Sequence, residues 1–248
     1  MAEKRLNVNP LNLKTDGLKL ISEGVLLEPD ARKLSDMKEV IYSKEFYEKA
    51  DKSTPLYFMY RGICIAGDKQ LFEKYGIRYD VTLIPYLELG EEYNKTLGHY
   101  HPLASGNLSY TEVYEVLEGE AHYLLQEKAG SGIEDVVLIS AKKGDRVIIP
   151  PNYGHVTINP KKKTLVMCNL VFSGFKSEYK EYEEMHGAAY LEFLGNKFFK
   201  NASYGRLPKL RILKAKKIFD GNIYGMFLKN PEKFSFLWDP KLISNYKF

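Results

Sequence analysis

The chain has only two cysteines, Cys64 and Cys168, each inside an apolar run, so no disulfide framework holds it together and a reducing compartment is expected. It has no apolar run of transmembrane length, and residues 1–10 are polar and charged, unlike a secretory leader. A cytoplasmic protein without membrane contact is therefore expected. No internal repeat, low-complexity tract or flexible linker marks off an independent unit. What is abundant is tyrosine, 19 in 248 residues, with 13 phenylalanines beside it. Large half-polar rings suit a pleated, partly wet surface, which favours β architecture.

Net charge is +4, but residues 190–248 hold 12 Lys/Arg against 4 Asp/Glu. Lys214, Lys216 and Lys217 lie among Ile212, Leu213, Ile218 and Phe219, the pattern of a packed element with a solvated basic face rather than a nucleic-acid arm. The tail also carries Phe219, Tyr224, Phe227, Phe234, Phe236 and Trp238, too many aromatics for a disordered segment. It is expected to pack on the rest of the protein.

Residues 31–50 contain a Ser35-Asp36 cap signal, then Met37, Val40, Ile41, Phe46 and Tyr47 at helical spacing, which predicts one helix. From Leu56 onward the pattern changes to short apolar runs separated by Gly, Pro, Asn and Lys clusters, the rhythm of antiparallel strands. Such a series predicts a mainly β protein, a sandwich or double-sheet barrel whose mouth can hold a small molecule. Residues 177–186 read as a short helix. The expected organisation is an N-terminal arm and helix over 1–53, a barrel domain with its following helix over 54–187, and a packed extension over 188–248.

Three of the five histidines fall in two neighbourhoods, Gly98-His99-Tyr100-His101 and the stretch from Gly144-Asp145 through Pro150-Pro151 to His155 and Asn159. Residues two apart on a strand share a face, so His99 and His101 can aim both imidazoles at one point. Imidazoles joined by a carboxylate suit a divalent Fe, Mn, Ni or Zn ion with coordination positions left for substrate. Glu112, Glu115 and Glu118 on the next strand all compete for the carboxylate position. His122 and His186 stand outside both neighbourhoods and read as ordinary structural histidines.

The two neighbourhoods resemble the paired motifs of the cupin superfamily, a double-stranded β-helix, or jelly-roll, barrel. The first cupin motif ends in a glutamate followed after six residues by a glycine, which Glu112 and Gly119 match and Glu115 and Glu118 do not. Strand alternation agrees, since Glu112, Tyr114 and Val116 share a face opposite Glu115. The resemblance implies the ligand set His99, His101, Glu112 and His155, in a barrel with flanking N- and C-terminal helices. Residues 102–111, between the second histidine and the glutamate, read as a lengthened hairpin loop.

A narrower resemblance, over residues 26–193, is to the cupin-type phosphoglucose isomerases of archaea. It is carried by Lys33-Leu-Ser-Asp-Met37, Thr96-Leu-Gly-His-Tyr-His101, Glu112-Val-Tyr114 and the run from Val147 to Asn159. It implies interconversion of glucose 6-phosphate and fructose 6-phosphate by a homodimer. Phosphate would be held by Tyr57, Thr82, Thr96, Gly98 and Tyr179, with Tyr114 near the sugar. Hydroxyls and a glycine N–H can do this without a phosphate-loop lysine or a basic patch. Glu112 is then both ligand and candidate proton carrier, and a hydride shift is the other route. The same ligand set in a cupin dioxygenase, or a sugar-binding cupin without catalysis, are the competing readings.

Overall fold

In the computed structural model, residues 3–130, 132–216, 218, 220–246 and 248 are described. Two antiparallel sheets face each other. The larger has six strands in the order Arg146–Ile149, Glu112–Glu118, Leu165–Phe172, Ile77–Ile84, Pro55–Tyr60 and Asp30–Lys33. The smaller has Tyr153–Ile158, Glu120–Ala129 and Gly132–Lys142, with Arg211–Lys214 added in parallel along its edge. The chain crosses between sheets several times from Glu112 to Phe172, which is the jelly-roll connection expected from the sequence. Gly119 makes the first of these crossings. It sits at φ +84°, where an added Cβ would lie 3.0 Å from the Thr164 carbonyl oxygen, so a residue with a side chain is disfavoured there.

Alternation along the strands of the large sheet separates two cores. Ile84, Tyr114, Val116, Leu165 and Met167 point between the sheets, while Tyr79, Val81, Leu83, Val113, Leu117 and Leu170 point to the outer face. The termini cover that outer face. Residues 4–26 form a four-stranded meander contributing Leu6, Leu11, Leu13 and Leu20, an arrangement that the polar composition of the first residues concealed. The C-terminal helix Ile223–Lys229 and the 3₁₀ turns Pro231–Leu237 and Pro240–Ile243 complete the cover.

The aromatic tail is packed where it is described. Tyr224, Phe227 and Phe234 are fully buried, and Phe236 is 6% exposed. Trp238 packs on Tyr75, while Phe219 and Lys217 lie outside the described residues. Lys214 and Lys216 are exposed beside the edge strand, where lysines discourage pairing with a further strand.

The single helix predicted over residues 31–50 is three elements instead: a strand Asp30–Lys33, a 3₁₀ helix Leu34–Val40 and an α-helix Lys44–Lys49. Its buried residues Leu34, Met37 and Val40 recur every three positions, the period of a 3₁₀ helix, and Ile41 is extended. The Asp36 carboxylate accepts a hydrogen bond from the Lys33 N–H, and Ser43 caps the α-helix by accepting from Phe46 N–H. The short helix expected at 177–186 is found at Lys180–Glu184. Residues 102–111 form a small hairpin pairing Leu103–Ser105 with Leu108–Ser109.

Candidate metal centre and active site

Backbone pairing assembles the histidines. His99 and His155 form an isolated bridge, exchanging N–H···O=C bonds of 3.2 and 3.0 Å, which brings their rings to 4.4 Å. His101, two residues on, adds its ring from the same face. Glu112 opens the strand that pairs with both Arg146–Ile149 and Leu165–Phe172, and its side chain points between the sheets. The ligand atoms of His99, His101, Glu112 and His155 all lie within 4.8 Å of one another.

This donor set fits a divalent cation. Metal bonds of about 2.0–2.2 Å imply donors roughly 3.0–3.5 Å apart along the edges of a coordination polyhedron. His99 Nε2 and His101 Nε2 are 3.2 Å apart, and Glu112 Oε2 is 3.3 Å from His101 Nε2 and 3.4 Å from His155 Nε2. Glu112 Oε2 is fully buried yet makes no hydrogen bond, a costly arrangement unless something else binds it. The His101 Nδ1–H donates to the Tyr110 carbonyl at 3.0 Å, which leaves the Nε2 lone pair directed at the cluster.

Protonation suits the same role. Burial pushes His99 well below its ordinary value, and the charges of neighbouring His155 and His101 push it further. Burial likewise lowers His155. For Glu112 burial acts upward, but the adjacent His101 and His155 outweigh it and hold the carboxyl well below the usual range. Neutral imidazoles and an ionised carboxylate are the forms that ligate.

His99, His101 and Glu112 line a cavity of ≈ 470 Å³, with His155 buried beside them. Tyr114 lines it, its hydroxyl 3.1 Å from His155 Nε2 and kept protonated by burial and by the Glu112 charge. Thr82 and Tyr179 also line it, and the Tyr179 ring is 5.5 Å from that of His99. Tyr57, Thr96 and Gly98 are not among the residues that line the cavity. The Tyr57 hydroxyl accepts a long 3.4 Å bond from Leu97 N–H, and burial raises its pKa to about 12. Thr96 Oγ1 accepts from Thr157 N–H at 2.9 Å.

Gly98 has a clear packing role. At φ +89°, an added Cβ would fall 2.5 Å from Tyr182 and 2.6 Å from Val156. Gly98→Ala is therefore expected to cost about 1–3 kcal/mol in urea denaturation, as overpacking does, and to weaken metal retention by displacing His99. A variant as stable as the parent, with full metal content, would contradict this. His122 and His186 lie apart from the cluster: His122 is paired with Glu192 at 2.7 Å, and His186 contacts the Glu39 carbonyl oxygen near the surface.

The sequence analysis missed the cations of the cavity wall, Arg32, Arg61, Arg78 and Lys176, and the aromatic residues Phe172 and Phe175 that line it with them. The expectation of phosphate binding without a basic patch thus meets a wall that does carry cations. Four separate segments supply them, so no local run of basic residues announces them. Phe175 packs on His101 at 4.7 Å and stacks on Tyr110 at 4.8 Å, giving one side of the cavity an apolar surface.

A mainly β barrel with this strand order, carrying three histidines and one glutamate inside it, is a cupin. Residues 31–208 match the family model described as glucose-6-phosphate isomerase. The glucose-6-phosphate isomerase of Thermococcus gammatolerans is 30% identical over 153 residues, covering 62% of this chain and 74% of that one. That of Thermococcus litoralis is 29% identical, covering 62% and 76%, and that of Pyrococcus furiosus 30%, covering 60% and 72%. The chain belongs to the cupin-type glucose-6-phosphate isomerase family. Among solved structures, oxalate decarboxylase from Bacillus subtilis overlaps with a TM-score of 0.34 at 16% identity, over 49% of this chain and 27% of that one, too partial a likeness to carry a functional argument.

Proposed function

We propose that this enzyme interconverts glucose 6-phosphate and fructose 6-phosphate with a divalent metal held by His99, His101, Glu112 and His155. The observation that carries the proposal is the cluster of four donors at coordination spacing, three of which line a cavity, in a chain of this family. A bound divalent ion would polarise the substrate carbonyl and the neighbouring hydroxyl, lowering the cost of moving hydrogen between C1 and C2.

The protein's own groups have distinct tasks in this scheme. Glu112, held ionised, takes the proton from C2 of the open-chain aldose and returns it to C1, while the proton of the C2 hydroxyl passes to the C1 oxygen, so that the ketose forms and the carboxylate is regenerated at the end of the turnover. Tyr114 keeps its hydroxyl proton and can donate a hydrogen bond to a substrate oxygen beside His155. Phe172 and Phe175 exclude water from one side of the cavity, which limits loss of the proton to solvent. Phosphate is held by Tyr179 and Thr82 on the cavity wall, with Tyr57, Thr96 and Gly98 assigned to the same subsite by the family resemblance.

Chelation is expected to reduce fructose 6-phosphate formation from glucose 6-phosphate at least a hundredfold, and reloading with single divalent metals should restore it with one of them. Full activity in protein shown by elemental analysis to be metal-free would refute metal dependence. The cupin dioxygenase reading predicts oxygen consumption in place of isomerisation, which an oxygen electrode would detect.

A further inference from the structure

We infer that Arg32 is the cationic anchor for the phosphate of the substrate and determines the preference for a phosphorylated over a free sugar; this rests on the function proposed above. Four cations line the cavity, but they are not equivalent. Arg61 is paired with Asp30, and Arg78 Nε donates to both oxygens of Asp80 at 2.8 Å. Lys176 is exposed on the loop after the last barrel strand. Among the described residues, Arg32 has no carboxylate within ion-pair distance, although it is partly buried. Asp36 acts on it only from beyond ion-pair distance. A half-desolvated guanidinium without a directly paired carboxylate favours an anionic ligand, and its planar fork matches phosphate oxygens.

Its surroundings are built for the same purpose. Arg32 lies directly across from Tyr57 in the pairing of strands Asp30–Lys33 and Pro55–Tyr60, so both side chains project from the same face of the sheet. The guanidinium carbon lies 5.3 Å from the Tyr179 ring centroid, and Tyr57 and Tyr179 are the groups that favour its charged form most. The His99 ring lies 5.5 Å from the Tyr179 ring. Arg32 thus stands one tyrosine away from the metal cluster. An open-chain hexose phosphate, with its carbonyl end at the histidines, carries its phosphate at the far end of the molecule towards such a position. The tyrosines orient the guanidinium while their hydroxyls offer further donors.

The test uses the full-length, metal-loaded protein. Arg32→Gln should raise KM for fructose 6-phosphate by about 10- to 100-fold, with kcat changed less than about threefold, the pattern for lost binding common to ground and transition states. Turnover of unphosphorylated fructose at high concentration should not change. Inorganic phosphate, followed by calorimetry, should bind the variant more weakly by a factor similar to the KM effect. Arg32→Lys should recover part of the loss, because it restores the charge without the fork. Arg61→Gln, which removes a guanidinium already neutralised by Asp30, should lose less than about threefold.

Unaltered phosphate binding in Arg32→Gln would overturn the assignment. Equal losses in Arg61→Gln and Arg32→Gln would do the same, since they would indicate a diffuse field rather than one anchor. Metal content and melting temperature of each variant separate lost binding from misfolding, and the Lys variant provides the reading if the Gln variant does not fold. Phosphate binding that depends on Arg32 in a protein without isomerase activity would leave the anchor standing and remove the proposed reaction.

Discussion

Glu112→Gln is expected to lower kcat about a hundredfold or more, the largest effect of any conservative change in the cavity. The substitution keeps the size of the side chain but removes the charge that would hold the metal and the base that would carry the proton. Glu112 Oε2 is buried 3.3–3.4 Å from two imidazole nitrogens, so an amide there must face those rings with a neutral oxygen or an unwanted N–H. Metal affinity should fall together with kcat. The informative measurement is the rate at saturating metal. If Glu112 moves the proton, the deficit persists when the site is full; if hydrogen passes as a hydride and Glu112 is only a ligand, excess metal recovers most of the rate. Wild-type kcat and metal affinity in this variant would remove Glu112 from both roles.

The second large effect is expected on the opposite face of the same strand, in stability rather than chemistry. Glu115 is 4% exposed and sits on the outer face of the sheet, its carboxylate accepting from Arg146 at 3.0 Å and from the Ile223 N–H at 2.7 Å. Arg146 also donates to the Gly221 carbonyl oxygen, so one ion pair ties the strand bearing Glu112 to the start of the C-terminal helix. Burial pushes the Glu115 carboxyl up despite the Ile223 N–H and Arg146. The pair as a whole therefore adds little net stability, but removing one member leaves the other charge buried with less compensation.

Glu115→Ala is expected to cost about 3–5 kcal/mol in urea unfolding, with kcat per metal-loaded, folded molecule within about threefold of the parent. Sequence alternation alone suggests a harmless control position, since Glu115 faces away from the site. The tail makes it a buried anchor. A stable Glu115→Ala protein with a large loss of kcat would mean that the two faces of this strand are not energetically separable. Thr111 provides a second tie, donating through Oγ1 to the Phe236 carbonyl oxygen at 2.8 Å one residue before Glu112.

What the sequence by itself determined was whatever depends on short-range periodicity. Residues two apart share a strand face, so the spacing of His99 and His101, and the alternation of Glu112, Tyr114 and Val116 against Glu115, could be read before any fold was known. The barrel strands were legible as short apolar runs between turn residues, the pattern of strands buried on both faces. The 3₁₀ helix at Leu34–Val40 is not separable in the sequence from a single longer helix, since periods of 3.0 and 3.6 differ little over seven residues.

Tertiary structure alone decided the relations between distant segments. It set Arg32 across from Tyr57, and it gave Arg61 and Arg78 their carboxylate partners while Arg32 has none within ion-pair distance among the described residues. It also folded residues 4–26 and the aromatic tail over the outer sheet face, so that Glu115 is buried there. Register between strands and coverage of a sheet face arise from long-range packing, and local sequence carries no periodic signal of which residues will meet.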